Sequence, residues 1–292
     1  MKNVLICGLG GGLDVLNCLP LYYKFKANAN YESVYLGSIR PAPQSSVSNS
    51  LEWNMYHEQA TTIDEFTTIN FRGRYAEPFI AHYLEDIIIL FSRTNKKGEH
   101  SVGGLTDAIS SVIEADNIDE VYFVDGGGDS MTLKPEDIIG ISQSKDVFKG
   151  GDAFALEAIQ HIPSTLCVAS VGLDVNRQGF IDRLDELTSY DIYEGSINLR
   201  TLPEIDKYVK AADEILYRKP GDDKLGKYKS HTGSVLYCSV TKDWGVKRTY
   251  VGWEGEVDGE KGVMVRPDHA MMYMFKANKI HQLKINYRDN WK

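Results

Sequence analysis

Short apolar runs alternate with stretches of helical periodicity over roughly the first two thirds of the chain. Five apolar runs predict buried strands: residues 4–7, 33–37, 86–92, 120–125 and 166–171. Apolar residues at helical spacing predict the main helices between and after them: residues 15–26, 106–115, 153–161 and 180–187. Strands and helices that alternate in this way form a parallel sheet covered by helices on both faces. The pattern predicts an α/β fold with a Rossmann-like, doubly wound, mostly parallel sheet.

The pattern changes after residue 187. An amphipathic helix is expected at residues 202–216, and no strong strand separates it from the helix before it. Farther on, the residue pattern predicts a strand at 235–240 paired with 247–253, a helix at 269–276 and a last strand at 279–285. We expect residues 1–292 to form a single Rossmann-like α/β domain, in which residues 230–292 are a C-terminal β/α extension of the same sheet.

A glycine-rich turn follows the predicted strand at residues 120–125. Its sequence is Asp125, Gly126, Gly127, Gly128, Asp129 and Ser130. Consecutive glycines let a ligand approach the backbone N–H groups, and two carboxylates can bind a metal, hold sugar hydroxyls or orient a water. The alternative is a flexible connection whose aspartates only cap turns. We favour a ligand-binding turn, because glycine and aspartate follow two other predicted strands as well.

The first of these other turns follows the strand at residues 4–7. It contains Gly8, Gly10, Gly11, Gly12 and Asp14, and it opens the predicted helix at 15–26. A helix N-terminus carries free N–H groups and partial positive charge, which suit an anionic ligand. Asp14 lies at the mouth of this helix, where it is equally typical of a plain N-cap.

A third turn, with Gly172 and Asp174, follows the strand at residues 166–171. The carboxyl ends of parallel strands open on one edge of a sheet. We therefore expect Gly11, Asp14, Asp129 and Asp174 to line one pocket. Residues 41–64, which are rich in proline, serine and asparagine, are expected to form an irregular excursion that partly covers it.

A dinucleotide site is disfavoured by two departures from the usual fingerprint. Gly8 and Gly10 match G-x-G-x-x-G, but Leu13 stands where the third glycine is expected. The second predicted strand ends in Ser38, Ile39 and Arg40, where an NAD-binding unit usually has an acidic residue for the ribose. Arg40 could receive a 2′-phosphate, but an arginine paired within the protein is the commoner case. The sequence therefore argues against NAD(P) as a cofactor.

His231 and Thr232 stand beside Gly233 in a turn that precedes the strand expected at residues 235–240. Hydroxyl groups and an imidazole beside glycine suit a phosphate or a carboxylate. His231 could act as a general acid or base, because imidazole titrates near neutral pH. A surface turn with a hydrogen-bonded histidine is the alternative.

Charge and apolar content limit the partners. Asp and Glu number 41 against 32 Lys and Arg, and the net charge of -9 opposes nonspecific binding to nucleic acid. The N-terminus does not resemble a signal peptide, and no apolar run of about 20 residues predicts a membrane-spanning helix. The cysteines are far apart, so we interpret them as buried thiols and expect a cytoplasmic location. A homo-oligomer is left open.

These three turns together resemble those of a prokaryotic family known only as a domain of unknown function. The matching motifs are Gly8 to Asp14, Asp125 to Ser130, and Gly172 to Asp174, in the same order. The resemblance implies a Rossmann-like α/β fold and no particular reaction. Members of that family tend to have a Gly-Asp-Gly-Glu-like segment after the third motif, where this chain has Asp174, Val175, Asn176 and Arg177.

The leading functional hypothesis is an enzyme that binds a nucleotide or another phosphorylated small molecule and catalyses hydrolysis or group transfer. The predicted catalytic residues are Asp125, Asp129, Asp174 and His231. The predicted ligand-binding residues are Gly10, Gly11, Gly12, Asp14, Gly126, Gly127, Gly128, Ser130 and Thr232. Asp125 and Asp129 could hold Mg²⁺ or Mn²⁺, which prefer oxygen ligands. The alternatives are a sensor that binds a nucleotide without chemistry and, less favoured, an NAD(P)-dependent oxidoreductase.

Overall fold

A computed structural model describes most of the chain. The described residues are 1–10, 14–40, 46–48, 57–69, 75–95, 97–131, 152–173, 176–217, 231–247, 256–257, 260–261 and 263–280. The predicted site residues Gly11, Gly12 and Asp174 lie outside these ranges. Side chains are also not described for Asp129 and His231, although their backbone is.

Within the described ranges, eight strands form the main sheet. They are β1 (Lys2–Gly8), β2 (Tyr31–Arg40), β4 (Ala60–Ile63), β6 (Ile88–Ser92), β7 (Glu120–Gly126), β8 (Thr165–Ala169), β9 (Tyr193–Asn198) and β14 (Met271–Lys276). The remaining short strands pair two by two: β3 (Val47–Ser48) with β5 (Thr68–Ile69), β10 (Gly245–Lys247) with β13 (Val263–Val265), and β11 (Glu256–Val257) with β12 (Glu260–Lys261).

The order of the main sheet is β4-β6-β2-β1-β7-β8-β14-β9. The five neighbours from β6 to β8 are parallel to one another. β4 is antiparallel to β6 at one side, and β14 is antiparallel to both β8 and β9 at the other. The predicted α/β fold with a Rossmann-like, mostly parallel sheet is confirmed.

Helices cover both faces of the sheet. They are α1 (Asp14–Lys26), α2 (Glu77–Leu84), α3 (Val102–Ala115), α4 (Asp152–Ile159), α5 (Arg177–Ser189), α6 (Ile205–Tyr217), α7 (His231–Val240) and α8 (Ala277–Ile280). One core forms under α1, α2, α6 and α7, and a second forms under α3, α4, α5 and α8. The two cores share β1, where Val4 and Ile6 enter the first and Leu5 and Cys7 the second. Side chains that alternate along this buried strand thus pack against the helix layers on both faces of the sheet.

The C-terminal part differs from its prediction in three elements. Residues 235–240 form part of helix α7, so the predicted strand there is wrong. The predicted helix at 269–276 is also wrong, because a short 3-10 helix, Pro267–Ala270, leads into strand β14. Strand β9 lies between α5 and α6, where no strand was expected. The last strand was predicted at residues 279–285. Its start is wrong, because residues 279 and 280 belong to helix α8, and residues 281–285 lie outside the described ranges.

Two other predicted connections contain short strands. Part of the expected excursion at residues 41–64 is β4, an edge strand of the main sheet, while residues 41–45 and 49–56 are outside the described ranges. Residues 247–253 were expected to pair with a strand at 235–240. Lys247 instead ends β10, which pairs with β13. Among the described helices, none has both the length and the apolar character needed to cross a membrane.

Candidate functional site

The sheet reverses its winding between β1 and β7. From β1 the chain proceeds through α1 to β2 on one side, whereas β7, reached from β6 through α3, lies on the other side. Ligands of open α/β sheets bind outside the carboxyl ends of the strands at such a switch point. The first two predicted turns, after Gly8 and after Asp125, are therefore at this position.

The turn after β1 brings helix α1 very close to the strand. A Cβ atom added to Gly8 would lie 2.5 Å from the backbone nitrogen of Val15 and 2.9 Å from the carbonyl carbon of Asp14. Such distances are too short for non-bonded atoms, so only glycine fits here. The absence of a side chain at Gly8 sets the N-terminus of α1 directly against the end of β1.

Asp14 connects the two glycine turns. It is the first residue of α1 and only 2% exposed. Its carboxylate accepts hydrogen bonds from two backbone N–H groups, that of Gly10 at 3.0 Å through Oδ2 and that of Gly126 at 3.2 Å through Oδ1. The structure thus brings Asp14 to the β7 turn, and the N–H groups of Gly10 and Gly126 donate within the protein.

The space above Gly126 is filled by protein side chains. An added Cβ would lie 2.2 Å from Nδ2 of Asn17 and 2.8 Å from both Oδ1 of Asp14 and Oγ1 of Thr232. Asn17 is fully buried, and its Nδ2 donates to Thr232 Oγ1 at 3.1 Å. Gly126 therefore permits the packing of Asp14, Asn17 and Thr232, whereas the sequence suggested direct ligand contact. A polar residue one turn after Asp14 in an apolar helix was the signal that could have identified Asn17.

Helix α7 begins at this same point. His231, predicted to be catalytic, is its first residue, and Thr232, predicted to bind the ligand, is its second. Both therefore belong to a helix N-terminus and not to a turn before a strand. Ser170, just beyond β8, donates a hydrogen bond of 3.4 Å to the carbonyl oxygen of Thr232. Ser170 is buried and has a φ of 55°. A left-handed backbone at a non-glycine residue costs energy and is often kept at functional sites.

Asp125 and Ser130 face away from Asp14. Val124 packs in the core under α1, and Phe123 packs in the opposite core. Alternation along β7 therefore directs Asp125 to the face opposite Gly126. Asp125 is fully buried, and its Oδ2 accepts hydrogen bonds from the backbone N–H of Ser130 at 3.3 Å and from the Ser130 hydroxyl. These hydrogen bonds connect the two ends of the glycine turn, so both side chains have partners within the protein.

The turn between Asp125 and Ser130 requires its other two glycines. Gly127 has a φ of 109° and Gly128 a φ of 101°, which are strained for residues with a side chain. The N–H of Gly127 donates to the carbonyl oxygen of Ala169 at 2.9 Å, and so ties the turn to β8. Asp129 begins a short 3-10 helix, Asp129–Met131, directly after this turn.

The third turn, after β8, lies beside a group of charged side chains. Gly172 has a φ of 95°, and a Cβ added there would lie 3.1 Å from Nη2 of Arg266. Arg177, the first residue of α5, pairs with Asp268 at 2.9 Å, and Arg266 Nε lies 3.4 Å from the same carboxylate. β1, β7 and β8 are parallel neighbours as predicted, so the three turns open on one edge of the sheet.

Among the possible metal ligands and cysteine thiols near this edge, in the part of the chain that the structure describes, the carboxylate of Asp125 is hydrogen-bonded within the protein and the thiols are buried. Within the described residues, no group of three or more His, Cys, Asp or Glu side chains is placed to hold a metal ion. Oδ2 of Asp125 is occupied by its two bonds to Ser130, so this oxygen does not fit a metal ligand, and Mg²⁺ or Mn²⁺ stays a prediction. All four cysteines are buried and none is in a disulfide, as the sequence predicted. Burial raises the pKa of the Cys7 and Cys18 thiols well above the ordinary value, so both remain protonated.

An acidic residue that the sequence did not suggest lies at the end of β2. Glu77, the first residue of α2, is fully buried. Its Oε1 accepts a hydrogen bond of 2.8 Å from the Ser38 hydroxyl and lies 3.3 Å from Nε of Arg40. The Arg40 guanidinium carbon also lies 4.7 Å from the centre of the Tyr75 ring. Arg40 is thus paired within the protein, which was the commoner of the two expectations.

Comparisons with protein-family models, curated proteins and solved structures give no match to this chain. The family resemblance drawn from the three turns stays a prediction.

Proposed function

We propose that this protein binds a nucleotide or another phosphorylated small molecule at the carboxyl edge between β1 and β7, and that it is an enzyme of hydrolysis or group transfer. The observation that carries the proposal is the meeting of two helix N-termini at one glycine. Asp14 opens α1 and Thr232 lies in the first turn of α7, and both side chains are beside Gly126.

Two helix N-termini concentrate partial positive charge where the sheet reverses its winding. The Asp14 carboxylate places a negative charge in the first turn of α1, which offsets the partial positive charge of that helix end. A phosphate is therefore expected nearer the α7 end, where Thr232 and Ser234 carry hydroxyl groups. Of the four catalytic residues predicted from the sequence, Asp129, Asp174 and His231 remain assigned to catalysis as a prediction, whereas Asp125 is engaged with Ser130.

A sensor that binds a nucleotide without chemistry is the second candidate. It is favoured by the inward placement of Asp125 and Ser130, which are engaged with each other and closed off from solvent. Neither side chain is poised to attack a ligand in this arrangement. If the protein is an enzyme, the reacting groups must come from the other predicted residues.

Incubation of the purified protein with nucleotides and sugar phosphates, with and without Mg²⁺, separates these functions. Turnover of any compound supports the enzyme. A raised melting temperature without turnover supports the sensor, because a ligand that binds only the folded state stabilises it. An absorbance change with NADPH would support the oxidoreductase, and no response to any compound would contradict all three.

Asp129→Asn should abolish turnover, or ligand binding if the protein is a sensor, while leaving the melting temperature within a few degrees. Asp125→Asn is the matched control on the same turn. Asp125 is buried and accepts two hydrogen bonds from Ser130, so its replacement should lower the free energy of unfolding by about 2 kcal/mol. Circular dichroism and the activity assay measure the two effects. An Asp129→Asn protein that is as destabilised as Asp125→Asn would make Asp129 a structural residue.

A further inference from the structure

Within the part of the chain that the structure describes, one carboxylate oxygen of Glu77 accepts a hydrogen bond and the other does not. Oε1 accepts from Ser38 and lies beside Arg40, whereas Oε2 is buried with no hydrogen-bond donor among the described residues. Leaving a buried carboxylate oxygen without a donor is costly, and native proteins seldom do so. An acceptor of this kind fits a donor group supplied by a ligand.

The position of Glu77 relates it to the switch point. Ser38 is level with Gly8 in the neighbouring strand β1. Adjacent strands are about 4.8 Å apart, so a carboxylate bonded to Ser38 lies about one strand spacing from the first glycine turn. Leu36 packs in the core under α1, and alternation places Ser38 and Arg40 on that same face, which also carries Asp14.

A carboxylate at this position is suited to accept hydrogen bonds from the hydroxyl groups of a ligand. Dinucleotide-binding sheets place an acidic side chain at the end of the second strand to accept the ribose hydroxyls. β2 of this chain ends in Ser38, Ile39 and Arg40, which lack that group, but α2 supplies a carboxylate to the same place. Ser38 and Arg40 orient it and leave Oε2 available to a donor.

We propose that Glu77 binds the vicinal hydroxyls of a ribose whose phosphate lies at the switch point between β1 and β7. The inference rests on the proposed function and specifies its ligand as a ribose-bearing phosphate, either a nucleotide or ribose 5-phosphate. Glu77 is closed off from water in this arrangement. A ribose therefore reaches Oε2 by displacing the groups that cover it.

Calorimetric titration tests this assignment with the full chain. The probes are the four ribonucleoside triphosphates, their 2′,3′-dideoxy counterparts, ribose 5-phosphate, 2-deoxyribose 5-phosphate and inorganic triphosphate. At least one ribose compound should bind the unmodified protein about 10- to 100-fold more tightly than its deoxy counterpart, since a hydrogen bond to a charged group is lost. Glu77→Gln should abolish this preference and leave the affinity for inorganic triphosphate unchanged.

Glu120→Gln is the matched control. Glu120 lies at the opposite end of the sheet, where Tyr31 and Tyr122 donate to its carboxylate, so this variant should keep the ribose preference. If Glu77→Gln does not fold, Ser38→Ala removes the donor that orients Glu77 and should weaken the preference. The comparison of ribose and deoxy compounds on the unmodified protein needs no variant.

Equal affinity for ribose and deoxy compounds would overturn the role of Glu77 and leave the proposed function standing. Binding of inorganic triphosphate alone would have the same consequence, and so would a ribose preference that survives in Glu77→Gln. Failure of every phosphorylated probe to bind would overturn both the inference and the proposed function.

Discussion

Gly8→Ala should lower the free energy of unfolding by about 3 kcal/mol, near the upper end of the usual cost of overpacking. The added methyl group would lie 2.5 Å from the backbone nitrogen of Val15 and 2.9 Å from the Asp14 carbonyl carbon. Backbone atoms in the first turn of a helix cannot rotate away as a flexible side chain does. The whole N-terminus of α1 would have to move from β1, and Asp14 would move with it. Urea denaturation followed by circular dichroism measures the change.

Gly103→Ala is the matched control for Gly8→Ala. Gly103 lies in the first turn of α3, and a Cβ added there meets no atom within 4 Å. Alanine favours helix over glycine by up to about 1 kcal/mol, so this variant should be as stable as the unmodified protein or slightly more stable. Similar losses in both variants would contradict a specific close approach at Gly8.

Asp14→Asn should cost about 3 kcal/mol of stability, because it leaves a buried backbone N–H without an acceptor. Gly10 and Gly126 donate to different oxygens of the carboxylate. An asparagine amide has a single oxygen, so in either orientation its NH₂ group faces one of these N–H groups. The two glycine turns would separate, and ligand affinity should fall together with stability.

Asp119→Asn provides the comparison for Asp14→Asn. Asp119 also accepts a backbone N–H, that of Asn3 at 2.7 Å, but it is exposed. Water can replace the lost acceptor there, so the stability should change by less than about 0.5 kcal/mol. Equal stability of the Asp14→Asn and Asp119→Asn proteins, measured by urea denaturation, would show that Asp14 does not join the two turns.

The parallel part of the sheet could be predicted because its strands are continuous apolar runs buried on both faces. Helix α7 could not, because it has no single apolar stripe. Leu236 and Val240 pack in the core under α1, whereas Val235 and Cys238 pack in a separate cluster with Leu173. A helix that is buried on two sides loses the periodicity by which an amphipathic helix is recognised.

Strands β9 and β14 were missed for different reasons. β9 is at the edge of the sheet, is only partly buried and contains Gly195, so it lacks an apolar run. β14 is rich in methionine, which favours helices, and its extended form is determined by pairing with β8 on one side and β9 on the other. Local propensity at both segments is overridden by contacts between residues far apart in sequence.

The candidate site was predictable only in its location. Strand ends that carry glycine and aspartate identified the carboxyl edge, and the contact between Asp14 and Gly126 occurs there. The directions of the side chains were not predictable, since alternation on β7 turns Asp125 away from Asp14. Glu77 could not be found from the pattern, because its partner Ser38 lies 39 residues earlier on another element.

The most direct test of a ligand site at the switch point is the map of backbone amide shifts, recorded by NMR with the compound that raises the melting temperature most. The proposal predicts the largest shifts at the residues around the meeting point of α1 and α7, namely Gly10, Gly126, Gly128 and Thr232. Shifts concentrated instead at the amino ends of the strands, around Lys2, Tyr31 and Glu120, would contradict a ligand site at this edge.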